Sequence, residues 1–161
     1  MTGGWYMKVR LTPISLVVAA VVLLSTAAPA IAGEKSEIYK NWRGVAIKGY
    51  DPVAYHVEGN PVEGSRQYEF KWKNAKWRFS SAENLNLFEA DPEKFAPRYG
   101  GYCAWAVSQG YTASVDPKNA WTIVEGRLYL NYSVDVKKMW SRDIPGNIKK
   151  ADANWPGVLK K

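Results

Sequence analysis

The sequence predicts an α+β domain, a small antiparallel sheet of hairpins with short helices and a C-terminal helix. Three observations carry that expectation. Two stretches of strand-like alternation each fold about a two-residue turn signal, a capped helix signal stands between them, and an apolar repeat at helical spacing closes the chain.

Taken in order, Glu34 to Asn41 reads as a short helix, and Val45-Ala46-Ile47 leads into Gly49-Tyr50-Asp51-Pro52, where Gly and Asp-Pro mark a turn. Val53 to Val57 fits a strand or a helical turn equally. Phe70 to Phe79 reads as two alternating strands around an Asn74-Ala75 turn, a register that pairs Phe70 with Phe79 and Trp72 with Trp77. Alternation then puts those four aromatics on one face and Lys71, Lys73, Lys76 and Arg78 on the other. Ala75 is the weak point of this register, because a type I′ turn needs positive φ at both central residues. Ser81 offers a capping hydroxyl to a helix over Ala82 to Glu89, which Asp91-Pro92 stops. Gly100-Gly101 opens a second short helix, Tyr102 to Ser108, ended by Gly110. Trp121 to Val124 and Arg127 to Tyr132 form a hairpin about Glu125-Gly126. From Val134 to Asn154, Val136, Trp140, Ile144, Ile148 and Ala151 fall on one helical face, which Pro145-Gly146 must kink or split.

The chain has 161 residues, enough for one domain, and its N-terminal part has the pattern of an export signal. Lys8 and Arg10 precede an apolar stretch from Ile14 to Leu24, and Ala30-Ile31-Ala32 is an A-x-A cleavage site. The stretch falls short of the roughly 20 residues that cross a bilayer core, so no stable membrane anchor is expected after cleavage. The division is therefore a signal peptide over residues 1–32 and a single domain over 33–161, periplasmic or secreted, with translation starting at Met1 or Met7. Net charge is +7 for the whole chain, and loss of Lys8 and Arg10 leaves 20 basic against 15 acidic residues. In an exported protein that excess points to an anionic envelope component rather than to nucleic acid. Cys103 is the one cysteine, which excludes an internal disulfide, and none stands at the cleavage site to take a lipid. Seven of the eight tryptophans lie in the mature part and supply a core.

Gly49-Tyr50-Asp51-Pro52-Val53-Ala54-Tyr55, Phe79-Ser80-Ser81-Ala82-Glu83-Asn84, Phe88 with Pro92 and Phe95, and Tyr99-Gly100-Gly101-Tyr102-Cys103-Ala104 together resemble the exported, single-domain branch of the YHS-domain family. The likeness runs from about Val45 to Trp155. It implies a compact α+β module of a kind found attached to heavy-metal pumps and in metal-sensing domains. There, cysteines in a D-P-V-C-G-M segment and an F-C-S-x-x-C segment bind the metal. This sequence departs from that pattern: Ala54, Ser80 and Asn84 stand where the thiolates would be, and His56 where the methionine would be.

Soft metals need thiolate, imidazole or thioether, and the mature chain has few of them in Cys103, His56 and Met139. A closed zinc site on Cys and His alone is excluded, which leaves a low-coordinate copper(I) or mercury site on Cys103 with His56 and Asp51. At a helix start behind two glycines, amide dipoles would lower the Cys103 thiol's pKa. Against this, Cys103 shares a face with Ala106, Val107 and Gly110 and fits a small inert core residue. Tyr50, Tyr55 and Tyr102 are candidates to line a small-ligand pocket, or else are core. Three functions follow: a ligand- or metal-binding module with copper as the leading ion, a non-metal module holding an envelope partner by its aromatic and basic surface, and a Cys-His thiol enzyme that no oxyanion-hole motif supports.

Overall fold

The computed structural model describes residues 1–4 and 33–160. The signal-peptide reading, with Ile14 to Leu24 and the A-x-A site, lies outside the described residues. Two units divide the chain, Met1–Ala30 and Ile31–Lys161; in the first, Met1 to Gly4 have no regular structure.

The second unit has the expected α+β architecture, but its strands form two separate two-stranded sheets. Its elements are α1 (Ala54–Val57), β1 (Ser65–Trp72), β2 (Ala75–Phe79), α2 (Ala82–Ala90), α3 (Pro92–Phe95), α4 (Ala104–Ser108), β3 (Trp121–Val124), β4 (Arg127–Leu130), α5 (Val134–Trp140) and α6 (Ile144–Asn154). Val53 to Val57 thus resolves as a helical turn. Among the described residues no helix is long and apolar enough to cross a membrane.

The first hairpin turns at Lys73-Asn74, one residue earlier than expected. Both residues take positive φ, 46° and 58°, as a type I′ turn requires, and Ala75 becomes the first strand residue. Phe70 therefore faces Trp77, and Trp72 faces Ala75. Moving each partner by two residues preserves parity, so the aromatic face survives the slip. Trp77 and Phe79 are fully buried, and Phe88 of α2 stands between them with both ring centroids at 5.2 Å. A bulge between Ser65 and Glu69 displaces the far end of the strand. The second hairpin holds the expected register about Glu125-Gly126, both at positive φ.

Glu34 to Asn41 does not form a helix. Its backbone is taken by distant partners: Tyr39 N donates to Gly100 O at 2.9 Å, and Lys40 bridges Ala46. This approach leaves no room for a side chain at Gly100, where a Cβ would collide with the Glu37 carbonyl, and the φ of +60° suits glycine as well. Val45 in turn bridges Lys76, so a short extended segment lies along β2. The helix after Gly100-Gly101 begins at Ala104, with Cys103 as its cap residue. At the C-terminus the break comes before Pro145: Asp143 caps α6, its carboxylate accepting from Gly146 N at 3.0 Å, and Pro145 occupies the first turn, where no N–H is needed. Trp140 and Ala151 bury the common face of α5 and α6 against Tyr99, Val107 and Tyr129.

Candidate functional site

The turn Gly49–Pro52 delivers the Asp51 carboxylate into the interior, where it is 0% exposed. Oδ1 accepts from Val53 N and Ala54 N at 2.8 and 3.2 Å, capping α1. Oδ2 accepts from Ser80 N, Ser80 Oγ and Asn84 Nδ2, each at 2.8 Å. Asn84 Nδ2 also lies 3.1 Å from Ser80 Oγ, and Ser81 Oγ caps α2 by accepting from Asn84 N at 3.1 Å. One carboxylate thus ties together α1, the end of β2 and the start of α2. Ser80 and Asn84 are two of the positions where the resemblance puts cysteine, and the fold does bring their side chains together. Their chemistry differs: a hydroxyl, an amide and the methyl of Ala54 offer no soft donor, and the Asp51 oxygens already accept five hydrogen bonds. These residues do not fit a thiolate metal centre.

The other predicted ligands are held by different neighbours. Cys103 is 1% exposed, its Sγ 3.7 Å from Asn131 Oδ1. Burial pushes the thiol's pKa up, and the backbone groups of Ala106, Tyr132 and Trp105 only partly offset that. Desolvation thus opposes the dipole activation that a helix start would give, and favours the alternative of a small buried core residue; the helix that Cys103 caps has five residues. His56 is half-buried with its ring edge-on to Phe95, centroids 5.4 Å apart. Burial lowers its pKa, a backbone hydrogen bond at Phe95 opposes this, and the charges of Lys94 and Arg127 add to the lowering. Its Nε2 is buried without a hydrogen-bond partner. Met139, the third soft donor, is 37% exposed on α5. Among the described residues no three His, Cys, Asp or Glu side chains come together as a metal site.

The candidate tyrosines do not converge either. Tyr55 is buried against Trp121 and donates to Pro117 O at 2.7 Å, Tyr102 donates to Ser36 O at 2.9 Å, and Tyr50 reaches Glu63 at 3.4 Å. Tyr55 belongs to the core cluster of the first hairpin, whereas Tyr102 packs on that of α4 and α6.

On the outer face of the first hairpin lies an open groove lined by Arg43, Arg66, Lys76 and Arg78, with Glu69 as its carboxylate. Glu69 pairs with Arg78 at 3.2 Å, which leaves three cations in excess. Arg43 stacks at 4.5 Å over Trp42, whose ring is 86% exposed. The sequence marked Lys76 and Arg78 through strand alternation. Arg66 was hidden by the bulge, and Arg43 by its distance along the chain. Lys73, expected on this face, instead bridges Glu37 and Glu93 from the turn.

Residues 53–99 match the family model of the YHS domain. That family is associated with metal, copper in particular. The match spans α1 to the turn before Gly100, so it includes Ser80 and Asn84 and excludes Cys103. No curated protein and no solved structure matches the chain.

Proposed function

We propose that this chain is an exported, non-catalytic YHS-type binding module that holds an anionic envelope surface through the groove of its first hairpin and makes no use of copper(I). The observation that carries this reading is the state of the donors at the family's ligand positions. Ser80 and Asn84 are spent on Asp51, and the one thiol is buried with its neutral form favoured. What the groove offers outward is charge, with the exposed ring of Trp42 beside it. Three cations that make no ion pair among the described residues, beside an exposed Trp, make a surface for anionic headgroups, the cations at the phosphates and the indole at the interface.

The test is co-sedimentation of the full chain with phosphatidylglycerol vesicles, with phosphatidylcholine vesicles as control. Binding is expected to the anionic vesicles alone and to weaken as salt is raised. At about 1 kcal/mol for each cation near an anionic surface, Arg66→Gln with Lys76→Gln lowers affinity roughly 30-fold. Equal binding to both vesicle types, or no loss in the double variant, overturns the proposal.

A further inference from the structure

The groove of the first hairpin holds more positive charge than a singly charged headgroup neutralises. Arg43, Arg66, Lys76 and Arg78 line it against the carboxylate of Glu69, four cations to one anion, which leaves an excess of three. Glu69 is taken by Arg78 Nε at 3.2 Å, and Arg43, Arg66 and Lys76 make no ion pair among the described residues. The backbone gathers these charges. On one side of β2, Lys76 N donates to Gly44 O at 2.8 Å and Ala46 N to Lys76 O at 2.9 Å, which sets Arg43 beside the strand. On the other side Lys76 stands directly across from Lys71 of β1. Like charges directly opposite destabilise an antiparallel pair, and neither lysine is offset by a carboxylate among the described residues. An anion bound on this face relieves that repulsion. Arg43 is stacked by the face of its guanidinium, 4.5 Å over the Trp42 ring, so its N–H edge is left for an oxyanion.

From this arrangement we infer that the groove selects a phosphomonoester, a terminal phosphate with two negative charges, over a singly charged phosphodiester. The inference rests on the anionic-surface reading above and names the headgroup that such a surface presents. Charge is the first reason. A dianion gains roughly twice the attraction of a monoanion at each uncompensated cation. Because the groove is open and Arg43, Arg66 and Lys76 are exposed, the bound phosphate keeps much of its hydration, and the desolvation cost of its second charge stays small. Oxygen count is the second. A monoester presents three terminal oxygens where a diester presents two, so the forks of Arg43 and Arg66 can each engage two oxygens and share one. A carboxylate has one charge and two oxygens, and is disfavoured on both counts.

The experiment is co-sedimentation of the full chain with phosphatidate vesicles and with phosphatidylglycerol vesicles matched for surface charge, beside calorimetric titrations with glycerol phosphate and dimethyl phosphate. Phosphatidate vesicles are expected to bind about tenfold or more tightly than the matched phosphatidylglycerol vesicles. Glycerol phosphate should bind saturably, and dimethyl phosphate far more weakly. Glycerol phosphate binding as tight as phosphatidate vesicles would support the monoester site with a soluble source, and weaker binding supports the lipid. The double variant Arg43→Lys with Arg66→Lys keeps the charge and loses both forks, so it should lose more affinity for phosphatidate than for phosphatidylglycerol and bring the two within about twofold. Both positions are exposed, so this variant should melt as wild type does. Equal binding to the two matched vesicles, or a preference undiminished in the double variant, overturns this inference and leaves the anionic-surface reading standing. Binding to neither vesicle overturns both.

Discussion

Five hydrogen bonds converge on the two oxygens of Asp51, and without that carboxylate the Val53, Ala54 and Ser80 N–H groups would lose the acceptor shown for them. Asp51→Ala should therefore cost about 3 kcal/mol or more in a denaturant melt, and a loss under about 1 kcal/mol would mean that water replaces the carboxylate readily. Cys103 is a second test at this scale. A buried thiol with a raised pKa reacts only when the structure opens, so a thiol reagent at mildly alkaline pH should label the native protein far more slowly than the unfolded chain. Equal rates would restore Cys103 as an accessible nucleophile. His56 gives a pH signature that can be assigned, because it is the chain's one histidine. Burial lowers its folded pKa, with Lys94 and Arg127 adding to the effect and a backbone hydrogen bond at Phe95 opposing it. As pH falls below about 6.5, the unfolded chain takes up its proton before the folded one does, so this residue's contribution is present above that pH and is lost on acidification. Thermal melts across pH 7.5 to about 5 should show wild type losing stability that His56→Leu retains. Parallel profiles would contradict the burial argument.

The first hairpin carries the energetics at the scale of elements. Trp77 is fully buried between Phe88 and the Phe70 strand, whereas Trp72 is only partly buried beside the turn. Trp77→Ala should cost about 3 to 5 kcal/mol, Trp72→Ala about 1 to 3, and the exposed Lys76→Ala less than about 0.5. Equal losses at both tryptophans in denaturant melts would mean that the register is wrong. The face of this hairpin was legible in the sequence because alternation depends on parity alone. Its register was not, because Lys73 and Asn74 accept positive φ at a turn where sequence preference gave no strong signal. The second hairpin was legible in full, since Glu125-Gly126 offers a glycine where the turn needs one. Glu34 to Asn41 failed for the opposite reason: it has helical composition, but its hydrogen bonds are made with Gly100 and Ala46, and local propensity cannot anticipate such tertiary pairing. The split between α5 and α6 was anticipated at Pro145 and falls two residues earlier, at Asp143, because a proline is best placed just inside a helix that another residue caps.

At the scale of the molecule, a polar crosslink about Asp51 occupies the positions where the resemblance puts ligands. Ser80, Asn84 and Asp51 each stood out in the sequence, the first two as departures from a cysteine pattern and the third as a candidate ligand. Their convergence into one hydrogen-bonded knot was not legible, because it joins a turn, a strand end and a helix start. The pairing of Cys103 with His56 was inferred from scarcity of donors, and scarcity says nothing about distance. The central claim is that the positions where the resemblance puts thiolates are filled here by the hydrogen-bonded side chains of Ser80 and Asn84. It is tested most directly by titrating the full chain against a copper(I) chelator under reducing conditions, wild type beside Cys103→Ser, with zinc as control. The account predicts that the two proteins compete equally poorly for copper(I). Wild type holding copper(I) at least about tenfold more tightly than Cys103→Ser would contradict it and make the buried thiol a ligand.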